Sequence, residues 1–119
     1  MVNISNHLAS AKWGPHQLEQ AKLWGKDIVI DIPFPNVPPY ADETEIFRLA
    51  EKLKKDIQAT GDTAIHIMGE MGLTFVLVYL LMIDGRYEVL HSTTERKTVE
   101  NPDGTKTQSF EFVRFRPYF

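Results

Sequence analysis

The chain has 119 residues and a mass of 13.7 kDa, the size of one ordinary domain. Hydrophobic residues make up 43% and charged residues 24%, which excludes wholesale disorder and leaves enough apolar surface for a real core. There are no cysteines, so disulfide frameworks, thiolate zinc sites and thiol catalysis are excluded. A net charge of -3 argues against a duplex-DNA binder, though not against a small anion held by local dipoles.

The first residues, MVNISNHLASAKWG, lack the basic-then-apolar order of a signal peptide. No apolar run is long enough to cross a bilayer. A soluble cytoplasmic protein is expected. Val2 to Ile4 suits a buried strand, followed by polar and small residues from Ser5 to Gly14. Pro15 suits a helix first turn, and the helix runs to Leu23 with Gly25 as its stop. Ile28 to Ile32 is apolar apart from Asp31, as in a central strand covered on both faces. Prolines 33, 35, 38 and 39 then make Phe34 to Tyr40 a stiff loop.

Asp42 with Glu45 resembles a capping box. Ile46, Leu49, Ala50, Leu53 and Ile57 follow as one helical stripe, and Gly61 ends it. Ala64 to Met68 reads as a strand. Leu73 to Met82 reads as a helix apolar nearly all round, which implies either deep burial or, the reading favoured here, a subunit interface. Tyr87 to Leu90 is a strand that ends at a polar corner, His91 to Thr94. Asn101-Pro102-Asp103-Gly104 turns a hairpin of Glu95–Glu100 against Lys106–Phe115.

Strands and helices that alternate imply an α/β fold with a mostly parallel sheet. The expected order is 2-1-3-4, with the C-terminal β-hairpin (residues 95–116) attached and residues 1–119 forming a single domain. Ligands of open α/β sheets bind beyond the carboxyl ends of the strands, where the strand order reverses. Ser5, Asn6 and His7 should there face Gly69, Glu70, Met71, Gly72, Leu73 and Thr74, flanked by Ser92, Thr93 and Thr94.

The G-x-x-G turn before a helix suits phosphate, with Thr74 adding a hydroxyl. It also suits a plain tight turn, and Glu70 within it would repel phosphate unless it points away or contacts a sugar hydroxyl or a base amine. Histidine as a residue type changes charge near neutral pH, which makes His7 a candidate general acid or base, or a phosphate ligand. Lys12 could reach a phosphate, and Trp13 could stack on a base or simply pack on its own helix. Arg96 could contact phosphate or ribose. His66, set among Ile65, Ile67 and Met68, reads as a structural strand histidine. The four histidines show no metal-ligand spacing, so neither metal nor cofactor is expected.

On Asn3-Ile4-Ser5-Asn6-His7, Asp31-Ile32-Pro33-Phe34, Gly69-Glu70-Met71-Gly72-Leu73-Thr74 and His91-Ser92-Thr93-Thr94-Glu95-Arg96, the chain resembles a known family. These are the small stand-alone proteins of type III CRISPR systems that share a minimal CRISPR-associated Rossmann (CARF-like) fold. The resemblance spans most of the chain. It implies a homodimer that binds a cyclic oligoadenylate, such as cyclic tetra-adenylate (cA4), across its two-fold axis. It further implies a metal-independent ring nuclease that uses the ribose 2′-OH and leaves 2′,3′-cyclic phosphate ends, switching off antiviral signalling. In that setting His7 would move protons and Ser5 and Asn6 would orient the ribose. Backbone amides of Gly69 to Leu73 with Thr74 would hold phosphate, and Lys12 or Arg96 would offset charge. A non-catalytic sponge and a nucleotide-free interaction subunit remain as alternatives.

Overall fold

The computed structural model describes residues 1–7 and 9–119. Leu8, inside the expected Ser5–Gly14 loop, lies outside the described residues.

Helical elements form where the apolar period and the caps agree. α1 (Pro15–Trp24) opens on a proline and closes at Gly25. Gly25 has no room for a side chain, because a Cβ there would press on the Met1 backbone. α2 (Glu43–Thr60) is capped by Asp42, whose carboxylate accepts from the Glu45 amide at 2.9 Å, and ends at Gly61 with φ +75°. Its stripe buries Ala50, Leu53 and Ile57. α3 (Met71–Asp84) ends at Gly85 with φ +81°.

Five strands make one sheet: β1 (Val2–Ser5), β2 (Ile30–Asp31), β3 (Ala64–Met68), β4 (Glu88–Glu100) and β5 (Lys106–Pro117), in the order β2-β1-β3-β4-β5. The first four are parallel, and β5 returns antiparallel along β4. A mixed α/β fold with a C-terminal hairpin is therefore observed. β1 and β3 are buried along nearly their whole length, as short central strands should be.

Alternate residues feed two cores on opposite faces of the sheet. Val2, Ile4, Ile65, Ile67 and Val89 meet the inner faces of α2 and α3. Met1, Ala64, Leu90 and Phe115 meet Trp13, Ala21 and the rest of α1's apolar side. Each face is thus closed by helices against a shared sheet, the standard solution for a domain of this size.

Two expectations need correction. β2 is a two-residue, solvent-exposed edge strand rather than a covered central one. Pro33 stops it, and the Asp31 carboxylate is engaged in hydrogen bonds to Asn3 and Ser10. The polar corner at His91–Thr94 does not exist, because β4 runs unbroken through it with only a bulge between Thr93 and Thr94. Of the two alternatives for α3, deep burial is not what is observed, and an exposed apolar face remains. Leu73, Leu77, Val78 and Leu81 face the core, whereas Met71, Phe75, Tyr79 and Ile83 are 85%, 71%, 56% and 64% exposed.

Candidate functional site

β1 and β3 lie side by side in parallel, with Ser5 opposite Met68, and the Asn6 amide donates to the Met68 carbonyl at 3.0 Å. This register brings the segment after β1 against the segment after β3. A cavity of about 630 Å³ opens there, with Asn6, His7, Gly69, Met71 and Thr74 among its walls. Such a volume suits a small-molecule site. Thr74 lines this cavity, and its Oγ1 is buried with no hydrogen-bond partner among the described residues. Phe75, Val78 and Tyr79 of α3 complete one wall; His91, Tyr118 and Phe119 complete another. Tyr118 is pinned there by its hydroxyl, which donates to the Ile67 carbonyl at 2.6 Å, and by its amide, which donates to the Val89 carbonyl at 3.0 Å.

The other expected residues divide away from this cavity. Ser5, Trp13, Ser92 and Thr94 line a second cavity of about 510 Å³ on the α1 side of the sheet. His7 and Met68 border both cavities. Alternation along the strands explains the split, since successive residues at the sheet's carboxyl edge point to opposite faces. The Thr93 hydroxyl donates to the Arg114 carbonyl at 3.3 Å. Lys12 and Arg96 line neither cavity: Lys12 sits in an exposed 3-10 turn, and the Arg96 guanidinium lies 5.5 Å from the Phe110 ring centre out on the hairpin. No lysine or arginine lines either cavity among the described residues.

The glycine turn works differently from a phosphate cradle. The Glu70 carboxylate caps α3, accepting from the amides of Gly72 at 2.9 Å and Leu73 at 2.8 Å. An anion reaches those amides only by displacing it. Glu70→Ala is therefore expected to cost about 1 kcal/mol of stability while strengthening the binding of inorganic phosphate, as thermal melts with and without phosphate would show. Gly69 makes room for a protein side chain, because a Cβ there would sit inside the Phe34 ring. The Pro-rich loop after β2 is thus docked onto the turn. Gly69→Ala is expected to cost about 1–3 kcal/mol through overpacking. In Phe34→Ala the same change should cost much less, a coupling that urea unfolding of the four proteins would measure.

Several residues in the site carry no local signal in the sequence. His91 accepts at Nε2 from the Arg116 guanidinium at 3.2 Å, and its ring lies 4.9 Å from Tyr118. Burial, with the Arg116 charge second, holds it below the usual histidine range, so a neutral imidazole borders the first cavity. Asp31, on the exposed edge strand, anchors a chain of hydrogen bonds that runs inward through Asn3 to buried His66. Burial alone would raise its pKa, but hydrogen bonds from Ser10 and Asn3 outweigh that and hold it low. Asn3 Nδ2 donates to Asp31 Oδ1 at 2.8 Å, and Asn3 Oδ1 lies 2.7 Å from His66 Nδ1. Only a register that pairs Asn3 with both Asp31 and His66 reveals this chain. Among the described residues no group of His, Asp or Glu is arranged to hold a metal ion.

Fold and cavities together define a small α/β protein with a ligand-sized crevice at the carboxyl ends of parallel strands. The family model described as the Uncharacterized protein MJ1673 family matches residues 1–116, and the chain belongs to that family. No curated protein and no solved structure matches it. Among the described residues no helix is long and apolar enough to cross a membrane.

Proposed function

We propose that this protein is a Rossmann-like, CARF-like homodimer that binds a cyclic oligoadenylate across its two-fold axis and opens the ring. The observation that carries the reading is the cavity shared by Asn6, His7, Gly69 and Thr74, whose outer wall runs into the exposed apolar stripe of α3. A second copy packed on that stripe would place two such cavities side by side, and a symmetric ring suits a symmetric interface. The aromatic and apolar walls suit adenine rings, and the unpartnered Thr74 hydroxyl suits a phosphate or ribose oxygen.

In the reaction the ribose 2′-oxygen attacks the adjacent phosphorus and the bond to the departing 5′-oxygen breaks. A 2′,3′-cyclic phosphate and a 5′-hydroxyl result. The 2′-OH loses a proton and the 5′-oxygen gains one. His7, at the border of both cavities, is the group placed to carry that proton, and Asn6 beside it orients the ribose. No metal-bound water is required, because the nucleophile belongs to the substrate.

A second reading, a sponge that binds without cutting, is favoured by two features. Glu70 occupies the α3 amides, and among the described residues no lysine or arginine lines the cavity to stabilise a charged phosphorane. Incubation with cyclic tetra-adenylate separates the two. The enzyme reading expects linear products with cyclic phosphate ends and a loss of about 10²–10⁴ in rate in His7→Ala. Tight binding of a ring that stays intact at high protein concentration would establish the sponge instead. No thermal shift with any cyclic oligoadenylate would reject both.

A further inference from the structure

One residue lining the second cavity, His66, carries a buried ring nitrogen without a partner among the described residues. His66 is 2% exposed, and its Nε2 is buried with no hydrogen-bond partner among the described residues. Its protonation pattern follows from its neighbours. Asp31, held ionised, can only accept, so Asn3 must present its NH2 to Asp31 and its carbonyl oxygen to His66. His66 must then donate through Nδ1–H. In a neutral ring that leaves Nε2 as a bare lone pair. The ring cannot swing to bury this atom elsewhere, because Trp13 and Phe115 pack edge-on against it at 5.8 and 5.2 Å.

We propose that the α1-side cavity is a binding site for a planar heteroaromatic ring bearing an amine or N–H donor, the chemistry of an aminopurine, with His66 Nε2 as the acceptor that selects it. The cavity has the form such a ring needs. Phe110 and Phe112 supply apolar walls, and the hydroxyls of Ser5, Ser92 and Thr94 offer polar contacts. Its volume of about 510 Å³ exceeds what one nucleoside requires. A ligand that brings a donor satisfies an atom otherwise left buried and unpaired. A ligand of the same shape without one does not, which is the strongest form of polar selectivity. This site lies across the sheet from the α3-side cavity and stands independently of the ring-opening reading.

The test uses adenosine and purine riboside, which differ only by the exocyclic amine, and reads the imidazole nitrogens of His66 by NMR. The free protein should show the Nδ1–H tautomer. Adenosine should shift the His66 Nε2 resonance and bind at least about tenfold more tightly than purine riboside. Thr94→Leu, which fills the cavity without touching the Asn3–His66 pair, should abolish that shift. An Nε2–H tautomer, equal affinity for the two nucleosides, or a His66 signal unmoved by either at millimolar concentration would overturn the assignment.

Discussion

Acidification from pH 7 to pH 4 is expected to remove about 3 kcal/mol of folding stability through His66 alone. Burial pushes this imidazole down to about 4, with the nearby His7 and His91 adding to the effect, whereas the unfolded side chain titrates near 6.5. Between those values the unfolded chain holds a proton that the folded chain does not. Stability is therefore fully present above about pH 6.5, falls as pH drops through the window, and levels off below about 4. A gap of about 2.5 pH units at about 1.4 kcal/mol per unit sets the size. His91, also held low by burial, acts in the same direction. Asp31, held below its ordinary value by hydrogen bonds from Ser10 and Asn3, acts only at lower pH. Urea unfolding at half-unit steps from pH 7.5 to 4 would trace the curve. His66→Gln keeps a donor toward Asn3 and should be less stable at pH 7 but much flatter across the window. A wild-type protein equally stable at pH 7 and pH 4.5 would contradict the burial of a neutral His66.

His66 also marks the limit of what the sequence discloses. Where one element declares itself locally, the reading holds. The α2 stripe, its Asp42 cap and its Gly61 stop are all visible in sequence because each is an interaction within a few residues. The hairpin turn at Asn101–Gly104 is equally local. The juxtaposition of Asn6 and His7 with Gly69 and Thr74 follows from strand order, which the alternation of elements implies. The failures share a cause in long-range geometry. Asp31 looks idle until β1 lies between β2 and β3 and its Asn3 joins both neighbours. Gly69 looks like a ligand loop until Phe34 is seen filling the space its missing side chain leaves. Glu70 is a different kind of miss: its cap on α3 is a contact within three residues, as local as that of Asp42, and the glycine pattern around it draws the reading toward phosphate instead. Ser5 and Asn6 are neighbours in sequence, yet the pleat sends them into different cavities.

Replacing Phe75 or Tyr79 with aspartate is expected to convert the proposed dimer into monomers. Met71, Phe75, Tyr79 and Ile83 recur every four residues and so form one ridge along α3, each more than half exposed. Contiguous apolar patches of this kind mark interaction surfaces on soluble proteins. The ridge is continuous with the first cavity, since Met71, Phe75 and Tyr79 line it and Phe119, 84% exposed, stands at the same mouth. Covering the ridge would therefore also close the cavity. A carboxylate in the middle of such an interface loses the apolar contact and must also be desolvated without a partner. The combined penalty is about 4 kcal/mol or more, roughly a thousandfold in Kd. The same substitution should leave the monomer's fold intact, because these positions face away from Leu73, Leu77 and Leu81. Sedimentation velocity of wild type and Phe75→Asp over a range of concentrations reads the effect. Cyclic oligoadenylate affinity should collapse in parallel, because a ring that spans a two-fold axis loses half its contacts on a lone subunit. A wild-type protein that sediments as a monomer at high micromolar concentration, with or without ligand, would end the two-fold reading. In that case the α3 ridge would need a different partner.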